Sequence, residues 1–121
     1  MIETELLEFI SASIRSVWDL ELLLCVWRSP ERSWSPEDVL RELRASDSIV
    51  REGLHALETA GLLIADTDRT YRYAPASRSF DDLLAKLDEL YRTHPNLVRK
   101  AVLLQHNKIQ SFADAFRIKR D

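Results

Sequence analysis

Between Pro36 and Leu63 the chain carries two apolar stripes at helical spacing, separated only by Arg44-Ala45-Ser46. Ser35-Pro36-Glu37-Asp38 is a dense helix start. It offers a hydroxyl N-cap, a proline where no amide hydrogen is needed, and a carboxylate able to reach back. The spacing predicts a helix from Pro36 with Val39, Leu40 and Leu43 on one face. Ser46 is the expected second N-cap, with Asp47 near the positive end of the helix dipole. Val50, Leu54, Leu57 and Gly61 then step round at three- and four-residue intervals and share an inward face. Leu62-Leu63-Ile64 follows as a short strand-like run. A short helix, a tight turn and a second helix with a free polar face make a helix-turn-helix unit, whose second helix can enter a major groove.

On these residues the chain resembles the winged helix-turn-helix superfamily. Leu40, Arg44 and Val50 stand where that family usually has a small residue, a turn glycine and a buried aliphatic. Leu54, Leu57, Gly61 and Leu62 match its Leu-x-x-Leu-x-x-x-Gly-Leu ending. The resemblance runs from Ser16 to Ala74 and implies a mainly α fold with a small β wing. It specifies fold far better than partner.

The flanking sequence fills in the remainder of one expected domain over residues 1–121, with an N-terminal helix (1–15), the winged core (16–75) and C-terminal helices (76–121). Leu6, Leu7, Phe9, Ile10 and Ile14 recur at helical intervals in the first part. Ser16-Val17-Trp18-Asp19 opens a helix that is apolar nearly all round to Trp27 and stops at Ser29-Pro30. The resemblance implies that Arg32-Ser33-Trp34 forms a small strand that pairs with the wing, its edge covered by Trp34. Leu63-Ile64-Ala65, Asp66-Thr67-Asp68-Arg69 and Thr70-Tyr71-Arg72-Tyr73 read strand, turn, strand. After Ala74-Pro75-Ala76 a helix is expected to open at Ser79-Phe80-Asp81-Asp82, ending or kinking at Thr93-His94-Pro95. A further helix follows from Pro95, with an interruption near His106-Asn107.

This layout is similar to MarR-type and PadR-type regulators, whose flanking helices pair two subunits. The apolar stripes led by Leu6, Phe9, Leu87, Leu90, Ile109, Phe112 and Phe116 are therefore the expected interface of a homodimer. The plainer alternative is that these helices pack onto their own core.

Composition narrows the function. The net charge of −3 lacks the basic footprint common in nucleic-acid binders. Between Ser16 and Pro75 acids outnumber arginines, whereas Arg99, Lys100, Lys108, Arg117, Lys119 and Arg120 bias the C-terminal stretch toward positive charge. No apolar run approaches the ~20 residues of a membrane span. The beginning Met-Ile-Glu-Thr-Glu is acidic where a secretory signal is basic, so a cytoplasmic protein is expected. The single cysteine, Cys25, lies in an apolar run and reads as core packing. Only Gly53 and Gly61 occur, leaving no glycine-rich phosphate loop, and His94 and His106 lack a matching Cys or carboxylate pattern. No catalytic residue, metal site or cofactor is expected.

The candidate readers of double-stranded DNA are Ser48, Arg51 and His55 on the second helix, with Arg69 and Arg72 on the wing for phosphate or minor-groove contact. Asp47 and Glu52 stand beside Arg51, and a carboxylate facing phosphates is repelled. The expectation is a small winged-helix transcriptional regulator. The alternative is a protein-interaction module with the same fold and no DNA partner.

Overall fold

A computed structural model describes residues 2–66 and 68–104. It is mainly helical with one small antiparallel sheet. The elements run α1 (Thr4–Ser13), α2 (Val17–Trp27), β1 (Ser33–Trp34), α3 (Pro36–Leu43), α4 (Asp47–Thr59), β2 (Leu63–Ala65), β3 (Tyr71–Tyr73) and α5 (Arg78–Thr93). A sixth helix, α6, begins at Pro95 and is described to residue 104. The expected interruption near His106-Asn107 lies outside the described residues.

The local signals explain most of these boundaries. The Ser16 hydroxyl accepts from the Asp19 amide at 3.1 Å and opens α2. At α3 the capping box is complete: the Asp38 amide donates to Ser35 Oγ and the Ser35 amide to Asp38 Oδ2, both at 3.1 Å. Those bonds from Ser35 hold the Asp38 carboxyl below its usual range. A carboxyl depressed in this way contributes its stability above its unfolded pKa, and that contribution is lost as pH falls through the lower folded value. Ser46 caps α4 by accepting from the Ile49 amide. The start of α5 differs from the sequence expectation, because Ser77 is the cap and accepts from the Ser79 amide. The helix therefore opens before the Ser79-Phe80-Asp81-Asp82 motif. Pro95, which disfavours helical geometry in the residue before it, separates α5 from α6 at His94.

The sheet has the order β1-β3-β2, with Trp34 facing Tyr71 and Leu63 facing Tyr73. Trp34 is buried, as its place on the β1 edge requires. The β2–β3 hairpin closes through the Asp66 amide to the Thr70 carbonyl at 2.7 Å. Between α4 and β2 the chain turns at Gly61, whose φ of 81° suits glycine and whose carbonyl accepts from the Ala76 amide.

Helix α2 is the centre of the core. Leu20, Leu22, Leu23, Leu24 and Val26 are all buried, and α3, α4, α5 and β3 pack around them. Each such side chain removed from water is worth about 1.5–3 kcal/mol. Trp18 is the exception to the all-round apolar pattern and stands 42% exposed. Helices α1 and α5 pack on each other, with Phe9 against Phe80 at 5.5 Å between ring centroids. Of the residues expected at a subunit interface, Leu6, Phe9 and Leu87 are buried against the chain's own core. Leu90 is partly buried against the same core, and Ile109, Phe112 and Phe116 lie outside the described residues.

Polar clamps fix α5. Asp81 accepts from Tyr73 Oη at 2.8 Å and from Trp27 Nε1 at 3.1 Å, and burial together with Asp81 pushes the Tyr73 phenol well up from its usual value. The buried Asp88 pairs with Arg28 at 2.7 Å and Arg92 at 3.4 Å.

Helix α4 approaches α2 closely at Gly53. A Cβ there would meet Asp19 Oδ1 at 3.0 Å and Leu22 Cδ1 at 3.1 Å. Neither neighbour is free to retreat, since Asp19 is buried and held by Arg15 Nε at 2.7 Å and Leu22 is fully packed. Gly53→Ala is therefore expected to lower stability by about 1 kcal/mol, the overpacking cost exceeding the helix-propensity gain. A denaturant midpoint that fell with unchanged slope would bear this out, and a raised midpoint would refute it.

Candidate nucleic-acid interface

Burial of Val50, Gly53, Leu54 and Leu57 fixes which way α4 faces, and Ser48, Arg51, Glu52 and His55 are left exposed. Three of the sequence-selected readers thus share one open helix. The other two belong to the β2–β3 hairpin. Arg69 is exposed beyond β2, and Arg72 on β3 is half-buried with its guanidinium 3.8 Å from Asp66.

Arg51 is the one arginine of α4, and its guanidinium is engaged. Its Nε donates to Asp47 Oδ2 at 2.9 Å and Oδ1 at 3.0 Å, and one terminal nitrogen donates to Glu37 Oε1 at 3.3 Å. The Asp47 hydrogen bonds, with Glu37 behind them, hold the arginine further above its already high pKa. Glu37 was not among the sequence candidates. It lies fourteen residues away on another helix, and only the angle between α3 and α4 brings it to Arg51. Glu52 is exposed on the same helix and also lies in the field of Arg15, just before the cap of α2. The carboxylates bonded to Arg51 are Glu37 and Asp47.

The corner before α4 has an uncommon backbone. Arg44 caps α3 at φ 56° and ψ 35°, the left-handed region that glycine enters freely. A residue with a Cβ pays roughly 1 kcal/mol or more there. Arg69 in the hairpin is the other such residue, at φ 60°. Both arginines are exposed, and neither has an acidic partner among the described residues. Sequence reasoning found Arg69 by its place on the hairpin but passed over Arg44. The signal was present, because Arg44 stands where the resemblance puts a turn glycine.

Outside this face, an open cleft of about 330 Å³ between α2 and α3 is lined by Glu21, Cys25, Arg28, Arg32, Trp34 and Glu42 among others. Arg32 stacks 3.7 Å above the Trp34 ring. Tyr91 Oη donates to Glu21. No group of three or more His, Cys, Asp or Glu residues among the described residues is arranged to hold a metal ion. No helix among them is long and apolar enough to cross a membrane. Cys25 is half-buried at this cleft, short of the full burial its apolar run implied, and burial pushes its thiol up from the ordinary value. Iodoacetamide at pH 8 is expected to label Cys25 several-fold more slowly than free cysteine, with the rate still climbing as pH rises past 9. Labelling as fast as free cysteine would show an activated thiol instead.

No family model matches the chain, and neither a curated protein nor a solved structure matches it significantly.

Proposed function

We propose that the protein is a small DNA-binding transcriptional regulator of the winged helix-turn-helix kind, acting as a homodimer. One observation carries this reading. The outer face of α4, with Ser48, Arg51 and His55, is covered by no other described element, while its inner face is sealed against the core. A helix so mounted, with an arginine-bearing hairpin in the same unit, fits the geometry of a recognition helix and wing. Arg51 and Ser48 have the chemistry to address base edges, and Arg69 and Arg72 to address phosphate.

A second reading is favoured by the pairing of Arg51 with Asp47 and Glu37, which leaves this face little positive charge. On that reading the unit is an interaction module that takes a basic protein surface and no DNA. Titration of fluorescent duplex DNA at two salt concentrations separates the two. DNA binding by phosphate contact weakens steeply with salt. Combining Glu37→Gln with Asp47→Asn releases Arg51 and removes two carboxylates, and is expected to tighten binding to any duplex by about fivefold to tenfold at low salt. Absence of DNA binding in both the wild type and this variant would defeat the regulator and leave the interaction module.

Apolar surface remains open at the described end of α6, where Leu103 and Leu104 are 54% and 57% exposed. This supports pairing through the C-terminal helices, with Ile109, Phe112 and Phe116 continuing the apolar pattern in sequence. Light scattering across a dilution series is expected to give twice the chain mass at micromolar concentration. A monomer throughout would remove the homodimer from the proposal.

A further inference from the structure

We infer that Arg44 and Arg69 together carry the main contacts of this chain to the phosphate backbone of duplex DNA, an inference that rests on the DNA-binding reading and adds a residue, Arg44, to its site. Two independent observations converge on the pair. The first is electrostatic. Arg28, Arg41, Arg51 and Arg72 each lie within ion-pair distance of a carboxylate, at separations from 2.7 to 3.8 Å. Arg44 and Arg69 are exposed and have no such partner among the described residues, so neither must break an internal pair before meeting a phosphate.

The second is conformational. These are the two non-glycine residues at positive φ among the described residues, at 56° and 60°. The left-handed backbone is served best by glycine, so each arginine is held at some expense to folding. Strain of this sort, retained under an exposed cationic side chain, points to a role outside the fold.

Arg44 adjoins the start of α4 along the chain, and Arg69 lies on the hairpin of the same sheet that leads into α3. Arg44 ends α3, two residues before the Ser46 cap of α4. Arg69 belongs to the hairpin whose strand β3 pairs with β1, and β1 runs straight into α3, where Glu37 touches Arg51. One guanidinium thus sits at the corner before the helix and one on the hairpin, the two places beside a groove-seated helix from which backbone contacts can be made. Phosphate contacts of this sort set position and affinity without reading sequence. Arg51, already engaged, is left to a base-reading role.

The test pairs Arg44→Gly and Arg69→Gly with Arg44→Lys and Arg69→Lys, using a labelled random-sequence duplex and an unrelated second duplex across a range of salt. Each glycine variant is expected to weaken binding to both duplexes and to lower the slope of log K against log salt by about one unit per arginine. Its thermal midpoint should stay level or rise, because the strained backbone is relieved. Lysine, which keeps the charge, should retain most of the slope. Glycine variants that bind both duplexes with wild-type affinity and slope would overturn the inference. So would affinity lost only in step with a lowered midpoint, which marks a structural role. If the wild type itself shows no salt-dependent binding, the DNA-binding reading fails first and this inference with it.

Discussion

The approach of α4 to α2 is the constraint on which this structure depends. Helix α2 buries Asp19, Leu20, Leu22, Leu23, Leu24 and Val26, and α4 reaches it closely only because Gly53 presents no side chain to Asp19 and Leu22. A carboxylate at that contact is costly unless it is paired, and Arg15 pairs it from outside the helix. With α4 seated there, its buried stripe of Val50, Leu54 and Leu57 is committed and its opposite face has to look outward. The open helix face is thus a consequence of core packing at one glycine.

The rest of the chain braces that arrangement. Helix α5 lies across α1 and α2, pinned at its N-terminal end by Asp81 to Tyr73 and Trp27 and further along by Asp88 to Arg28. These clamps join three separate elements. A tilt of α5 would break several of their hydrogen bonds at once, and each donor so stranded would cost about 1–3 kcal/mol where it is buried. Helices α1 and α5 thereby pack around the same core as the central helices and the sheet. That is why Leu6, Phe9 and Leu87 are spent on the chain's own core.

Local chemistry was legible in the sequence where the cause was itself local. The hydroxyl caps at Ser16, Ser35 and Ser46, the proline start of α3 and the hairpin strands follow from residues within a few positions of each other. The cap of α5 was misplaced by two residues because Ser77 and Ser79 both offer a hydroxyl, and the choice depends on where the chain leaves β3. The apolar stripes of α1 and α5 were legible as stripes. Periodicity states that a face must be covered, and it is silent on whether the cover comes from the same chain. The candidate face was read in the same partial way. Its exposed residues follow from helical spacing, whereas the Glu37 contact to Arg51 depends on the angle between two helices.

That contact also bears on how an acidic chain could hold DNA at all. Arg51 and its two carboxylate partners are each more than half exposed, so their pairing lives in high dielectric and holds the side chain only loosely. On the proposed DNA-binding reading a base edge would compete with Asp47 and Glu37 for Arg51, and the outcome would be set by what else the duplex gains. Contacts that need no internal pair to break, at a corner and on a hairpin, would on this reading decide whether the helix remains in a groove long enough for Arg51 to exchange a carboxylate for a base edge. A face built this way has little hold on an arbitrary duplex. On that reading its discrimination would rest on the few partners able to displace Asp47, and the specific site would stand out from the bulk of DNA by that difference.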